Sequence, residues 1–235
     1  MSYQEITGNI FASKAEAVVN TVNCVGPMGK GIALEFRRRF PEMFEEYQRH
    51  CEAGTLKPGM ILPYRKSTPW VLNFAVKNDW KHPSRIEWVE QTLEKFCEWY
   101  PSVGLKSVAF PWMGAMNGGI PLEDIQKVTR DYLSHLPDID IEVYTFDPDA
   151  PDPLFENLKN QIASQSMSSF IKDSGVQKRF VERIFTLMEG DSVTSLTGIE
   201  DKAQLGKVSM DKLYLHLSKH QDNPTSGTLD ETELF

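Results

Sequence analysis

The sequence has no apolar run approaching the roughly 18 residues that a membrane span requires. Its opening, MSYQEITGNIF, carries Glu5 and no continuous apolar core, so no secretory signal is expected there. Cysteine is scarce: Cys24, Cys51 and Cys97 are odd in number, widely spaced and free of any CxxC pair. That pattern excludes a disulfide framework and offers no zinc set, and it suits a reducing, cytoplasmic compartment. Basic charge is also short, with 25 Lys and Arg against 33 Asp and Glu, a net of −8. General affinity for phosphate backbones comes from clustered cations, so a non-specific nucleic-acid binder is disfavoured, although a single nucleotide or a basic partner is not. No internal repeat is visible. What is present is 40% hydrophobic residues over 235 positions. That suffices for a sizeable core, and the length fits one full domain with a smaller second one or a single large one.

The first 146 residues alternate between two periods. Strands are expected at 3–7, 17–22 (AVVNTV, apolar enough for a central strand), 60–64, 70–76, 107–110 and 141–146. Helices are expected at 32–40, stopped by Pro41, at 42–53, at 84–100 with Ser84 and Glu87 as a capping box, and from Pro121 to 136. Strands and helices in this alternation imply a three-layer α/β sandwich with a six-stranded sheet. Ligands of such sheets lie outside the carboxyl ends of the strands.

DPDAPDP (147–153) reads as a boundary. The expected organisation is a first domain over 1–153, a linker and short helix over 154–175, and a small helical region with a mobile tail over 176–235. Phe180, Ile184 and Leu187 line one of its helices, and Met210, Leu213, Tyr214 and Leu217 the other.

Three segments could carry chemistry. Residues 18–41, VVNTVNCVGPMGKGIALEFRRRFP, give strand, glycine loop and helix, the order that presents backbone N–H groups to a phosphate. They fit neither a P-loop, since Lys30 precedes Gly31, nor a dinucleotide fingerprint, since Leu34 stands where a third glycine belongs. Spacing alone is met equally by a tight turn without a ligand. The second segment, FPWMGAMNGGIP (110–121), is another glycine loop after a strand; two such loops at one sheet edge could clasp a diphosphate. In the third, VLNFAVKNDWKHPSR (71–85), Lys77 ends a strand at that edge. A lysine there is commonly a solvated surface group; chemistry would need partial desolvation to free its amine. Asp79, Lys81 and His82 read as polar rim.

Residues 18–41, read with NFAVKNDW and GAMNGGI, resemble a macrodomain. They are especially similar to the branch of DNA ADP-ribosyl glycohydrolase antitoxins, which also holds the human terminal ADP-ribose protein glycohydrolase. The likeness covers about 2–147. It implies an α/β/α sandwich with a mixed six-stranded sheet, and a cleft for ADP-ribose as ligand or product, with no cofactor and no metal. Asn9 and Ile10 would meet adenine, with Asn9 replacing the more usual Asp of the family. Asn23 would face the distal ribose. Gly29, Gly31 and Ile32 would line one side of the diphosphate, and Gly114, Ala115, Met116, Asn117 and Gly118 the other. Tyr144 or Phe146 would flank the adenine ring. Lys77 matches the catalytic lysine of the branch. The protein-directed human enzyme has a catalytic Asp where this chain has Gly118, so the resemblance favours ADP-ribosylated DNA as substrate. The alternatives are a reader without turnover and a hydrolase of a protein ester or a phosphorylated ADP-ribose. An ADP-ribosyltransferase toxin is the partner the resemblance implies; the region beyond Gln161, with 8 basic and 11 acidic residues, is too weakly acidic to argue for it independently. The closing ETELF is faintly like a sliding-clamp-binding tail.

Overall fold

The computed structural model describes residues 2–190, 193–219 and 234–235, in two compact units. The first spans Met1–Thr145 and includes Leu234–Phe235; the second spans Phe146–Asn223.

Six strands form the first unit's sheet: β1 (Tyr3–Gly8), β2 (Ala17–Asn23), β3 (Ile61–Tyr64), β4 (Trp70–Lys77), β5 (Ser107–Pro111) and β6 (Asp140–Phe146). Their order across the sheet is β1-β6-β5-β2-β4-β3. The four inner strands, β6, β5, β2 and β4, run parallel, and β3 closes one edge antiparallel to β4. Strand alternation fills both faces. Ala17 and Val19 of β2, Leu72, Phe74 and Val76 of β4, and Val108 and Phe110 of β5 point to one core. Val18, Val22, Val71, Ala75 and Ala109 point to the other.

The first face is covered by α3 (Ile86–Trp99) and α4 (Leu122–Leu133), which contribute Val89, Leu93, Phe96, Ile125 and Leu133. The second is covered by α1 (Gly31–Arg39) and α2 (Pro41–Glu52), which contribute Phe36, Met43 and Tyr47. Two helical layers around a mixed sheet make the expected α/β/α sandwich. Phe74, Phe96 and Phe110 form its aromatic centre, with ring centroids 5.2–6.1 Å apart.

One helix start differs from expectation. The cap of α3 is Arg85, not Ser84, and no side chain caps it. Ser84 donates its backbone N–H to Gly118 O at 2.8 Å, and its hydroxyl is buried without a hydrogen-bond partner. The serine is thus committed to the second glycine loop instead of a capping box.

At the outer edge, Ile61 exchanges both backbone hydrogen bonds with Phe235, at 2.6 and 3.2 Å. Phe235 also stacks on Trp99, with centroids 4.7 Å apart. Pro63, two residues on, has no N–H to offer an incoming strand, so the open edge is blunted.

The second unit holds α5 (Pro153–Ser164), α6 (Met167–Ser174), α7 (Lys178–Met188), α8 (Leu196–Lys202) and α9 (Lys207–Lys219). The short helix expected within 154–175 is α5, whereas the stretch expected to be linker runs into a second helix, α6. Asp152 caps α5, Ser166 caps α6, and Leu154, Phe155, Leu158 and Phe170 are buried in the unit's core. In SQSMSS, Ser164 therefore ends α5 and Ser166 starts α6. On α7 the buried centre is Val181 and Ile184, with Phe180 and Leu187 only partly covered. Met210, Leu213, Tyr214 and Leu217 of α9 are fully buried, as their spacing predicts. The tail expected to be mobile lies, but for Leu234 and Phe235, outside the described residues beyond Lys219.

Candidate functional site

Three connections meet at the carboxyl ends of the parallel strands: residues 24–30 after β2, 78–85 after β4 and 112–121 after β5. β2 lies between β4 and β5, and the chain proceeds to opposite sides of it. A crevice at such a switch point is the usual ligand position in open α/β sheets.

The first loop is shaped by Asn23. Its Nδ2 donates to Pro27 O at 2.6 Å, and its Oδ1 accepts from the backbone N–H groups of Val25 and Gly26 at 2.9 and 3.1 Å. Only 7% of Asn23 is exposed. The residue expected to face a ribose is thus largely spent on folding the loop around itself. Tyr47 supports it from below: its buried hydroxyl donates to Asn23 O at 2.7 Å, and burial drives its pKa well above the ordinary phenol value. Nothing in the spacing of α2 marked this tyrosine as more than a core residue. Cys24 is buried beneath the loop, and burial pushes its thiol up to about 12, which makes it inert.

Lys30 caps α1 in extended conformation with no side-chain hydrogen bond to the helix. The cap residue therefore supplies no side-chain acceptor to the first-turn amides of α1 at Gly31, Ile32 and Ala33. Such a helix start attracts an anion. Gly29 is exposed, and a Cβ there would meet nothing within 4 Å.

The second loop touches the first. Gly31 has φ +56°, and a Cβ on it would lie 2.5 Å from Asn117 Nδ2. Glycine suits this left-handed φ, and any side chain here would also have to push the Asn117 amide aside. Gly114 and Ile120 close the second loop by a 3.1 Å backbone bond. Gly118 is enclosed by Gly114: a Cβ there would overlap the Gly114 carbonyl. No side chain, and so no carboxylate, fits at position 118 in this loop.

Lys77 ends β4 directly opposite Asn23 in the β2–β4 register, beyond a bulge at Val22 and Asn23. Its Nζ donates to the backbone carbonyl of Asn117 at 2.7 Å. Burial lowers its pKa from the ordinary lysine value. Lys77, Asn117, Gly31 and Gly118 are thus gathered at one place. Ala115 packs on the core, while Met116 at the loop tip is 80% exposed.

Further along the sheet edge, the Asn9 side chain accepts from Phe11 N at 3.0 Å and caps a 3-10 turn over Ile10–Ala12. One lone pair of Asn9 Oδ1 is thereby used, and Ile10 is buried. The ring of Tyr144 lies against Gly8, 3.8 Å from where a Cβ there would sit. Its hydroxyl is tied to Glu142 at 2.9 Å, and burial with this carboxylate pushes its pKa up to about 12. Phe146 is 59% exposed, whereas Tyr144 is half-buried.

The sequence matches the Macro domain family over residues 19–129. It is 37% identical over 143 residues to a DNA ADP-ribosyl glycohydrolase of Thermus aquaticus, covering 59% of this chain and 40% of that relative. The chain thus spans about 40% of the length of the curated relative it matches. The fold overlays the macrodomain of Thermus aquaticus DarG with a TM-score of 0.58 at 37% identity, covering 61% of this chain and 97% of that one. The macrodomain of Mycobacterium tuberculosis DarG gives 0.57 at 36%, covering 61% and 95%. Thermosipho africanus DarTG, solved in complex with ADP-ribose, gives 0.56 at 29%, covering 63% and 42%. With its sheet order, its two glycine loops and these matches, the chain belongs to the macrodomain family.

Proposed function

We propose that the protein hydrolyses the bond between ADP-ribose and a modified DNA base, in the manner of an antitoxin. The observation that carries this reading is the placement of Lys77. A partly desolvated amine sits between two glycine loops, with no room for a carboxylate at Gly118. The curated relatives' name, DNA ADP-ribosyl glycohydrolase, supports the same class.

In this reading the diphosphate rests on the α1 start and on the glycines of both loops, Gly29, Gly31 and Ile32 on one side and 114–118 on the other. Adenine lies towards Asn9, Ile10, Tyr144 and Phe146. Asn9 has one Oδ1 lone pair left for the adenine amine. The distal ribose then lies near Asn23 and Lys77. Departure of the base develops positive charge on the ribose, so a protonated Lys77 would oppose the reaction. The neutral amine can instead take a proton from the attacking water, or add to the anomeric carbon of the ring-opened sugar and displace the base, leaving a lysine Schiff base that water hydrolyses to free ADP-ribose. Burial favours that neutral form.

The partner proposed is an ADP-ribosyltransferase toxin whose product is the substrate here, and the place of action is the cytoplasm. No described helix is long and apolar enough to cross a membrane.

The test is a panel of substrates: an oligonucleotide carrying ADP-ribose on a base, an ADP-ribosyl protein ester, and phosphorylated ADP-ribose. The account expects release of free ADP-ribose from the oligonucleotide first. Faster turnover of either other substrate would redirect the reading. Calorimetric binding of ADP-ribose with no turnover of any substrate would make the protein a reader.

A further inference from the structure

Three of the seven large hydrophobic residues exposed in the described structure lie on the three loops of the site: Val25, Trp80 and Met116. Trp80 is 55% exposed on the connection after β4. That connection is held at both ends to the second glycine loop, by Lys77 Nζ on Asn117 O and by Ser84 N on Gly118 O. Between these ties the chain makes a tight turn. Asp79 Oδ1 accepts from Lys81 N at 3.0 Å, and Asp79 O accepts from His82 N at 3.1 Å. Trp80 is therefore presented to solvent on a firmly tied turn.

The charge around it is opposite to that of the whole protein. Residues 77–85 hold Lys77, Lys81 and Arg85 against Asp79 alone, in a chain of net charge −8. Lys81 Nζ lies 5.4 Å from the Trp80 ring centroid, and the Arg85 guanidinium lies 5.0 Å over Trp88. Among the described residues Lys30, Lys81 and Arg85 form no ion pair, and all three are exposed. An exposed indole with Lys81 beside it, and Arg85 over Trp88 further along the same connection, suits a ligand that offers both flat apolar faces and anionic groups. An ADP-ribose held by the two loops has its phosphates bound elsewhere, so this surface is left for the acceptor.

We infer that Trp80, with Lys81 and Arg85, is a platform for single-stranded DNA flanking the modified base. A neighbouring base stacks on Trp80, and the two cations meet the adjoining phosphates. The inference deepens the DNA-directed reading and rests on it for the acceptor's identity. It also explains how an acidic protein engages DNA: a short local contact, added to the anchored ADP-ribose, replaces a broad basic face.

The test is binding, so it does not depend on turnover. In a Lys77→Arg background, which keeps a donor towards Asn117 O and a permanent charge in place of the titratable amine, dissociation constants are measured for free ADP-ribose, for a single-stranded oligonucleotide bearing ADP-ribose on a base, and for an ADP-ribosylated peptide. The oligonucleotide is expected to bind more tightly than free ADP-ribose. Trp80→Ala should remove about 10-fold of that advantage, as loss of one stacked base does, and Trp80→Phe should restore most of it. Lys81→Gln with Arg85→Gln should flatten the salt dependence of oligonucleotide binding by roughly two phosphate contacts. Equal affinity of oligonucleotide and free ADP-ribose would overturn the platform. So would loss of the peptide's affinity in step with the oligonucleotide's, or an unchanged salt slope. Failure of the wild type to hydrolyse the oligonucleotide, with the Trp80 effect intact, would instead overturn the catalytic reading alone.

Discussion

Lys77 and Asn117 stand 40 residues apart in sequence and are joined by a 2.7 Å hydrogen bond from Nζ to a backbone carbonyl. The bond aims the amine across the mouth of the second glycine loop. It also leaves the nitrogen with further hydrogens and, once deprotonated, a lone pair. Because burial lowers the Lys77 pKa, deprotonation comes below the ordinary lysine value of 10.5. If the neutral amine is the reacting form, kcat/KM rises with pH and levels off at an apparent pKa below 10.5. A pH–rate profile checks this; a rate that falls over the same range would assign the charged form.

Gly118→Ala should damage the site without touching any catalytic group. The added methyl overlaps the Gly114 carbonyl, so the loop that carries Asn117, the partner of Lys77, must shift. A loss of roughly 1–3 kcal/mol in ADP-ribose affinity is expected from such backbone conflict. Calorimetry would show it, and unchanged binding would mean that the loop tolerates a side chain.

Tyr47→Phe removes the phenol that donates to Asn23 O at 2.7 Å. A buried carbonyl left unpaired costs roughly 1–3 kcal/mol. Denaturant unfolding should detect that loss, and ADP-ribose should bind more weakly because the first loop rests on this bond. Full retention of both would show the phenol to be dispensable.

Phe96→Ala tests the core. Its ring meets Phe74, Phe110 and Tyr100 at centroid distances of 6.1, 5.2 and 5.4 Å. Removing a fully buried Phe costs about 3–5 kcal/mol, from lost transfer energy and the cavity left behind. The unfolding midpoint should fall while ADP-ribose affinity under folding conditions stays the same. A loss below about 1 kcal/mol would mean that the neighbours collapse into the space.

The sheet was legible because its signal is local. Val18, Val19, Val71 and Leu72 alternate between two cores, and both glycine loops directly follow strands. Three features were not legible, each for a physical reason. Ser84 has the sequence of a helix cap, but its backbone serves a loop that arrives 34 residues later. The serines around 164–166 look like linker until Phe170 is seen buried beneath them. The short α8 has too few turns to show a period. At the site, residue types pointed to Lys77 and the glycines. The pairing of Lys77 with Asn117, the contact of Gly31 with Asn117 and the closing of Asn23 on its own loop are tertiary facts. No single-sequence spacing encodes them.

The most direct test of the account is hydrolysis of an oligonucleotide carrying ADP-ribose on a base, by the wild type and Lys77→Ala in parallel, with ADP-ribose affinity measured for both. The account predicts free ADP-ribose from the wild type, loss of turnover in the variant, and persistent binding in each. Full turnover by Lys77→Ala would contradict it, and so would a wild type that binds ADP-ribose and leaves the oligonucleotide intact.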